Sequence, residues 1–193
     1  MIIALCGAKG SGKDTVAKKI GELYSHVSQV KTVAFADPIK KMVQHIFDLD
    51  PSSEDQYDKF KRTQVNYDLR GYMTHNVSGR HVVREIGMLM RSYDESQFVK
   101  YVNDTIDSNP GWIWVITDLR FDNELEYLRG KGAFIVKLKR KDASSDGHIT
   151  ERGFDDEQCD AVMNNDLPFE HLGVRVIETF DKVIKENYET YSR

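Results

Sequence analysis

Short, continuous apolar segments separate longer amphipathic and polar stretches along this chain. Apolar runs without alternation are typical of strands that are buried on both faces of a parallel sheet. The pattern predicts such strands at Ile2–Cys6, 30–36, 112–117 and 133–138, with a short fifth strand at 159–163. Between the strands, apolar side chains recur at helical spacing. This spacing predicts helices that begin at Lys13 and Asp37, and others at 81–91, 96–106, 123–129 and 168–188.

The alternation of strands and helices predicts an α/β fold of three layers, in which helices cover both faces of a parallel sheet. Ligands of such sheets bind beyond the carboxyl ends of the strands. Gly7, Asp37 and Asp118 each directly follow a predicted strand. Three separate parts of the sequence are therefore expected to meet at one edge of the sheet.

Two polar regions interrupt this alternation. Residues 48–80 are predicted to form an insertion over the sheet, and together with the helices that follow they make up a region at 48–110. Residues 140–158 are charged and contain glycine, so we predict a loop there. A chain of 193 residues is expected to fold as a single domain over 1–193.

The amino-acid composition indicates which binding partners and which cellular compartment to expect. The net charge of −4 argues against binding a nucleic acid polymer, which usually requires a basic surface. The two cysteines, Cys6 and Cys159, fit neither a disulfide framework nor a metal motif. No apolar run has the length of a signal peptide or a membrane span. We therefore expect a cytoplasmic protein that does not bind a membrane.

The strongest chemical signal is GAKGSGKDT at 7–15, which matches the phosphate-binding pattern G-x-x-x-x-G-K. A buried strand precedes it and an amphipathic helix follows it. Glycine is needed because backbone N–H groups wrap a phosphate, and side chains would block that approach. Lys13 can reach the β- and γ-phosphates of a nucleoside triphosphate and follow the charge during transfer. The alternative is a glycine-rich turn that occurs by chance.

The residues after Lys13 depart from the usual pattern, which has Ser or Thr directly after the lysine. Asp14 stands there and Thr15 follows. Carboxylates suit Mg²⁺, so Asp14 could bind that ion directly or through water, while Thr15 could meet the α-phosphate. The alternative is that Asp14 only stabilises the first helical turn electrostatically.

Asp118 directly follows the third predicted strand, which is the position of the Walker-B acid in proteins with a phosphate-binding loop of this kind. It could bind Mg²⁺ through water or orient the acceptor as a base. The alternative is a carboxylate that caps the next helix. Arg120 lies two residues further on, close enough to the same edge to meet a phosphate.

Cations for a phosphoryl acceptor and for a closing lid are also present. Arginine binds two phosphate oxygens at once, and arginines in or just after the insertion are Arg62, Arg70, Arg80, Arg84 and Arg91. Arg84 and Arg91 are seven residues apart on one predicted helix, so both could face one pocket. For each single arginine, a solvated surface role is the alternative.

The loop at 140–158 could be a lid that excludes water and brings cations over the transferring group. Arg140 and Arg152 are its candidate catalytic residues, and a plain solvated loop is the alternative. Phe98 lies near the acceptor side, where it could stack a base or pack in the core.

Taken in order, several motifs resemble the phage-type deoxynucleoside monophosphate kinases. They are GAKGSGKDTVAKKI, FADPIKKM, REIGMLMR and VITDLRFDNELEYLRGKGAFIVKLKR, followed by a DGHITE loop. The similarity runs from Ile2 to about Asp166, and a phosphate loop that ends in Gly-Lys-Asp-Thr is fairly specific to this group. Residues 48–80 match weakly.

The resemblance implies a P-loop kinase fold with an acceptor-binding insertion region, here 48–110, and a lid, here 140–158. It implies transfer of the γ-phosphate of ATP, with Mg²⁺, to a deoxynucleoside monophosphate. ATP would be held by Gly10, Ser11, Gly12, Lys13, Asp14 and Thr15. The acceptor pocket would be lined by Lys9, Asp37, Lys40, Arg62, Arg84, Phe98 and Asp118. Such enzymes are often homodimers.

Two alternatives stay open. A P-loop kinase of another small acceptor, of the phosphomevalonate or dephospho-coenzyme A type, would share the loop and the lid. A nucleotide-binding switch without turnover would share the loop. Against the switch, the chain lacks an N-K-x-D segment of the GTPase kind and has more arginines than a switch needs.

Overall fold

The computed structural model describes residues 1–68, 74–143 and 153–189, and it divides into two compact units. The sheet unit comprises Met1–Phe35 and Val102–Arg193, and the hairpin unit comprises Ala36–Tyr101. The predicted acceptor-binding region at 48–110 overlaps the hairpin unit but differs from it at both ends. The interpretation of 1–193 as a single domain stays a prediction.

Every helix and strand predicted from the sequence has a counterpart in the structure. Along the chain the elements are β1 (Ile2–Cys6), α1 (Lys13–Tyr24), β2 (Val30–Val33), α2 (Asp37–Ile46), α3 (Glu54–Arg62), β3 (Gln64–Asp68), β4 (Thr74–Ser78), α4 (Gly79–Tyr93), α5 (Gln97–Asp107), β5 (Ile113–Ile116), α6 (Asp122–Gly130), β6 (Phe134–Lys139), β7 (Ala161–Asn164) and α7 (Leu172–Glu189). Short 3₁₀ turns lie at Asp156–Gln158 and Phe169–His171.

The sheet unit is built on five parallel strands in the order β2-β5-β1-β6-β7. β1 is the middle strand, since Ala4 pairs with Ile116 of β5 on one side and with Ile135 of β6 on the other. A strand with neighbours on both sides and helices on both faces has no contact with water, which is why β1 is apolar without alternation.

One face of the sheet packs against α1 and α7. Ile3 and Leu5 of β1 share a buried cluster with Val16 and Ile20 of α1 and with Phe180 of α7. Each fully buried side chain of this size contributes roughly 1.5–3 kcal/mol relative to an exposed one. This cluster fixes α1, and with it the loop that precedes α1, against the sheet.

The opposite face of β1 carries Ala4 and Cys6, which are also fully buried. Leu128 of α6 is fully buried in the same unit. The Tyr127 hydroxyl of α6 donates to Oδ1 of Asn103 in α5 at 3.3 Å. The burial of both faces agrees with the predicted α/β fold of three layers.

The hairpin unit contains elements that the sequence did not predict. Residues 48–80 hold α3 and the antiparallel hairpin of β3 and β4. Ser53 caps α3 and Ser78 caps α4, each through a hydroxyl oxygen that accepts a backbone N–H. A Cβ atom at Gly79 would lie 2.2 Å from the backbone oxygen of Phe60, so the start of α4 packs directly on α3.

In the described part of the chain, no helix combines the length and the apolarity needed to cross a membrane.

Candidate functional site

The phosphate-binding loop connects β1 to α1 over residues 7–12. Gly7, Gly10 and Gly12 have φ angles of 134°, 82° and 93°, a backbone region that other residues rarely adopt. A Cβ atom at Gly7 would also lie 2.4 Å from the backbone oxygen of Leu138 on β6. The loop therefore needs these glycines for its own backbone as well as for close approach of a ligand.

Lys13, the first residue of α1, folds back onto the loop. Its Nζ donates to the carbonyl oxygens of Gly7 and Ala8 at 2.8 and 3.0 Å. Ser11 Oγ lies 3.5 Å from the same nitrogen. These bonds hold the ammonium at the loop, from which a lysine can contact phosphate oxygens.

The charges around Lys13 come from two separate parts of the chain. Burial lowers the pKa of Lys13, and the positive charge of Arg120 lowers it further. The negative charges of Asp14 and Asp118 act in the opposite direction. The structure thus brings the start of α1 and the segment after β5 together at one edge of the sheet.

Asp118 follows β5 and is half-buried. Its Oδ1 accepts a hydrogen bond of 2.8 Å from the backbone N–H of Phe35. Since Val33 of β2 pairs with Ile116 of β5, this bond lies just past the carboxyl ends of both strands. The carboxylate is therefore fixed at the edge where a ligand of such a sheet binds.

Glu124 organises the segment between Asp118 and α6. It is fully buried, and its Oε2 accepts the backbone N–H groups of Arg120 and Phe121 at 3.0 and 3.2 Å. Bonding the N–H groups at a helix start is the capping role that the sequence left open for Asp118. Glu124 thereby fixes the backbone that carries Arg120.

Asp14 and Asp118 are the carboxylates predicted to hold Mg²⁺. Asp14 is exposed in the first turn of α1, and both acids influence the pKa of Lys13. Among the described residues, no group of three or more His, Cys, Asp or Glu side chains is placed to hold a metal ion. Mg²⁺ commonly binds one or two carboxylates together with phosphates and waters. These acids therefore fit an ion that binds together with a nucleotide.

The other predicted residues of the loop are accessible. Lys9 and Gly10 are exposed at its tip, and Thr15 is exposed in the first turn of α1. Ser11 is fully buried. The exposed positions are open to a ligand, while the buried serine is part of the support of the loop.

Candidate acceptor residues at the start of α2 lie in the hairpin unit. Burial raises the pKa of Tyr57 to about 12, and the negative charges of Asp58 and Asp37 add to this rise. Lys40 forms an ion pair of 3.0 Å with Glu54, and its Nζ lies 5.3 Å from the centroid of the Tyr57 ring. Asp37 and Lys40 thus both lie near Tyr57.

The candidate arginines of the hairpin unit differ in their surroundings. Arg62 ends α3 and is exposed, whereas Arg84 and Arg91 lie half-buried on α4. The Arg91 guanidinium lies 4.5 Å from the centroid of the Phe98 ring, and Phe98 is 2% exposed. In this arrangement Phe98 packs as a core residue, which is one of the two roles that the sequence left open.

The structure describes the first and last residues of the predicted lid, up to 143 and from 153. Arg140 is exposed directly after β6. Lys137 and Lys139 of β6 both pair with Asp156, at 2.9 and 2.5 Å. Arg152, the other lid candidate, lies outside the described residues, and so does Arg70 of the insertion.

Two buried residues at the loop carried no signal in the sequence. Asn165 and Arg175 are each 8% exposed, and Asn165 contacts the phosphate-binding loop directly. Asn165 follows a short strand and Arg175 lies on an amphipathic helix. No motif marks either residue.

Comparison with solved structures defines the class of this fold. A dephospho-CoA kinase from Campylobacter jejuni superposes with a TM-score of 0.53, covering 96% of this chain and 98% of that one. The two sequences are 11% identical, so this likeness concerns the fold alone. With the glycine loop and Lys13 at the sheet edge, the fold is that of a P-loop kinase.

Comparison of sequences gives more specific information than the comparison of folds. The family model "Deoxynucleotide monophosphate kinase" matches residues 88–176. A putative deoxynucleotide monophosphate kinase of Acanthamoeba polyphaga mimivirus is 26% identical over 97% of this chain and 100% of its own length. The chain is thus similar in sequence to proteins named deoxynucleotide monophosphate kinases, in agreement with the resemblance of its motifs.

Two phage proteins match over a shorter region. The deoxynucleotide monophosphate kinase of enterobacteria phage T4 is 30% identical over 53% of this chain and 45% of its own length. That of Escherichia phage RB69 is 34% identical over 45% of this chain and 36% of its own length. The chain therefore matches less than half of either phage protein.

Proposed function

We propose that this chain transfers the γ-phosphate of ATP to a deoxynucleoside monophosphate, giving ADP and the deoxynucleoside diphosphate. The observation that carries the proposal is the group formed by Lys13, Asp14, Asp118 and Arg120 at one sheet edge. Support comes from a relative of matching length whose name is putative deoxynucleotide monophosphate kinase.

In the proposed reaction an oxygen of the acceptor phosphate attacks the γ-phosphorus of ATP. A new P–O bond forms while the bond from the γ-phosphorus to the β–γ bridging oxygen breaks, and no covalent enzyme intermediate is required. Positioning of the two substrates and neutralisation of the phosphate charge account for most of the rate enhancement in such a reaction. The backbone N–H groups of the loop bind the phosphates, and Lys13 follows the charge as it moves to the leaving ADP.

Asp14 and Asp118 would hold Mg²⁺, which neutralises phosphate charge when it is bound. Arg120 and Arg140 would supply further positive charge, and Arg152 is proposed to do so from the lid. Arg120 is well placed for this role because the buried Glu124 fixes its backbone. Arginine at such positions can bind two oxygens of the transferring or accepting phosphate.

Candidate contacts for the acceptor come from several parts of the chain. The proposed contacts are Lys9, Asp37, Lys40, Arg62, Arg84, Arg91 and Asp118, whereas Phe98 packs in the core. Lys40 is already paired with Glu54, whose side chain is 89% exposed. An exposed pair of this kind is weak, so an acceptor phosphate can replace the carboxylate.

The partners we propose are small nucleotides rather than a nucleic acid polymer or a membrane. Both cysteines of the chain are free thiols, in keeping with a reducing compartment such as the cytoplasm. A homodimer stays a prediction, which sedimentation of the native protein would test.

The test is ADP formation from ATP and Mg²⁺ with a panel of acceptors, followed by chromatography of the nucleotide products. The panel holds four deoxynucleoside monophosphates, four ribonucleoside monophosphates, phosphomevalonate and dephospho-coenzyme A. We expect turnover on at least one deoxynucleoside monophosphate, with the diphosphate as product. Turnover on phosphomevalonate or dephospho-coenzyme A alone would show that the protein is a kinase of a different acceptor. ATP binding without transfer to any acceptor would favour a nucleotide-binding switch.

A further inference from the structure

Asn165 joins the end of β7 to the phosphate-binding loop. Its Nδ2 donates a hydrogen bond of 2.8 Å to the carbonyl oxygen of Ser11, across 154 positions of sequence. Its backbone N–H donates to the carbonyl oxygen of Lys139 at 2.7 Å. Both the main chain and the side chain of Asn165 are therefore fixed.

Arg175 of α7 sets the orientation of this amide. Its Nη2 donates to Oδ1 of Asn165 at 2.8 Å, which leaves Nδ2 to face Ser11. Arg175 is 8% exposed, and its Nε and Nη1 are buried without a hydrogen-bond partner among the described residues. A guanidinium keeps its charge in a protein, and burying its donors unpaired is costly. Such a group calls for an explanation.

The geometry of Gly12 shows how closely the same amide approaches the loop. A Cβ atom at Gly12 would lie 2.4 Å from Nδ2 of Asn165, so the amide packs directly against the backbone of the loop. The peptide between Ser11 and Gly12 is planar, and in a trans peptide the C=O and N–H bonds point in opposite directions. Holding the Ser11 carbonyl towards Asn165 therefore turns the Gly12 N–H away from it.

We propose that Asn165 and Arg175 are positioning residues for triphosphate binding. Asn165 locks the peptide between Ser11 and Gly12 so that the Gly12 N–H is presented to the phosphates, and Arg175 locks Asn165. This inference rests on the proposed function only in that the loop binds ATP. It does not depend on which acceptor receives the phosphate.

The same segment contacts residues that precede the predicted lid at 140–158 or lie at its start. Asp166, the next residue, accepts the backbone N–H of Lys141 through Oδ1 at 2.7 Å. Asn165 and Asp166 thus contact both the phosphate-binding loop and the two sides of Arg140, through Lys139 and Lys141.

The test is the dissociation constant of ATP, measured by calorimetry without any acceptor, for Asn165→Asp. The carboxylate has the shape of the amide and still accepts from Arg175, but it cannot donate to Ser11. We expect ATP to bind roughly tenfold more weakly, since two acceptor oxygens then face each other. Asn164→Asp is the matched control, because it adds the same charge at the adjacent, exposed position. The midpoint of thermal unfolding is measured in parallel.

An uncharged variant separates positioning from simple repulsion. Asn165→Leu is close to the native side chain in shape and removes the donor to Ser11 without adding a charge, whereas salt would screen a carboxylate at this buried position only weakly. The proposal is overturned by native affinity in Asn165→Asp or in Asn165→Leu, or by an equal loss in Asn164→Asp. An affinity loss in both Asn165 variants, with little change in thermal midpoint, supports it.

A second variant covers failure of Asn165→Asp to fold. Arg175→Met leaves Asn165 in place but frees its amide to rotate, so we expect a loss of ATP affinity of roughly threefold. Unchanged affinity in that variant overturns the proposal. If the native protein itself does not bind ATP, the proposed function fails instead, and the two failures are thus distinguishable.

Discussion

The two units of the molecule provide their candidate binding groups in different ways. In the sheet unit, the phosphate-binding loop is held by backbone and buried contacts, such as the Ser11 carbonyl with Asn165 and the close approach of Gly7 to Leu138. In the hairpin unit, the candidates are long side chains on helices, such as Lys40 in a surface ion pair with Glu54.

This difference has a functional consequence. A backbone loop offers N–H groups to any triphosphate, so it is suited to a phosphate donor whose base matters little. Side chains on helices can be exchanged without changing the fold, so they are suited to choosing the acceptor. We therefore expect substitutions in the sheet unit to affect transfer itself and those in the hairpin unit to affect the acceptor.

The largest effect is expected for Lys13→Met. The variant keeps the length of the side chain but removes the ammonium that would follow the charge in transfer, so kcat should fall by roughly 10³. Lys18→Met, an exposed lysine of the same helix, is the control and should retain native kcat. A Lys13→Met variant within tenfold of native kcat would remove this lysine from the proposed mechanism.

Asp118→Asn should reduce kcat by roughly 10² and raise the Mg²⁺ concentration needed for half-maximal rate. The amide can still accept the Phe35 N–H through Oδ1, so the fold should persist. The comparison variant is Asp122→Asn, at an exposed carboxylate at the start of α6. An unchanged Mg²⁺ requirement in Asp118→Asn would contradict its assignment to the metal.

In the hairpin unit, Arg84→Ala should raise KM for the acceptor by roughly tenfold through loss of a charged hydrogen bond. KM for ATP should stay unchanged, which is the feature that separates the two units. Lys59→Ala on α3 removes an exposed cation of the same unit and serves as the control. An equal rise in both KM values would show that the proposed division of roles is wrong.

The sequence predicts the middle of the sheet unit well, and the reason lies in local pattern. β1, the glycine loop and α1 are adjacent in sequence, so composition and spacing determine them directly. β2 was predicted to reach residue 36 but ends at Val33. Past this point the backbone N–H of Phe35 bonds to the Asp118 side chain rather than to a neighbouring strand.

Contacts between distant parts of the chain could not be predicted. Asn165 reaches Ser11 across 154 positions, and nothing in its neighbourhood marks it as part of the loop. The hairpin of β3 and β4 was also missed, because residues 48–80 are polar and lack the apolar alternation that indicates a half-buried strand. The polar composition of 48–80 led only to the prediction of an insertion, without any helix or strand assigned to it.

The smallest expected effect is a dependence of ATP affinity on pH, which arises from the charge of Lys13. Burial is the main cause that lowers the pKa of Lys13, and the charge of Arg120 lowers it further. In the free protein the Lys13 ammonium should therefore lose its proton at a pH below the usual lysine pKa of about 10.4. Bound phosphate favours the charged ammonium, so ATP binding requires the proton. ATP affinity should therefore be independent of Lys13 below its lowered pKa and fall above it, by at most about tenfold per pH unit. Lys13→Arg is the control, because a guanidinium stays charged throughout this range. If ATP affinity falls equally in both proteins as the pH rises towards the usual lysine value of about 10.4, Lys13 is not the titrating group.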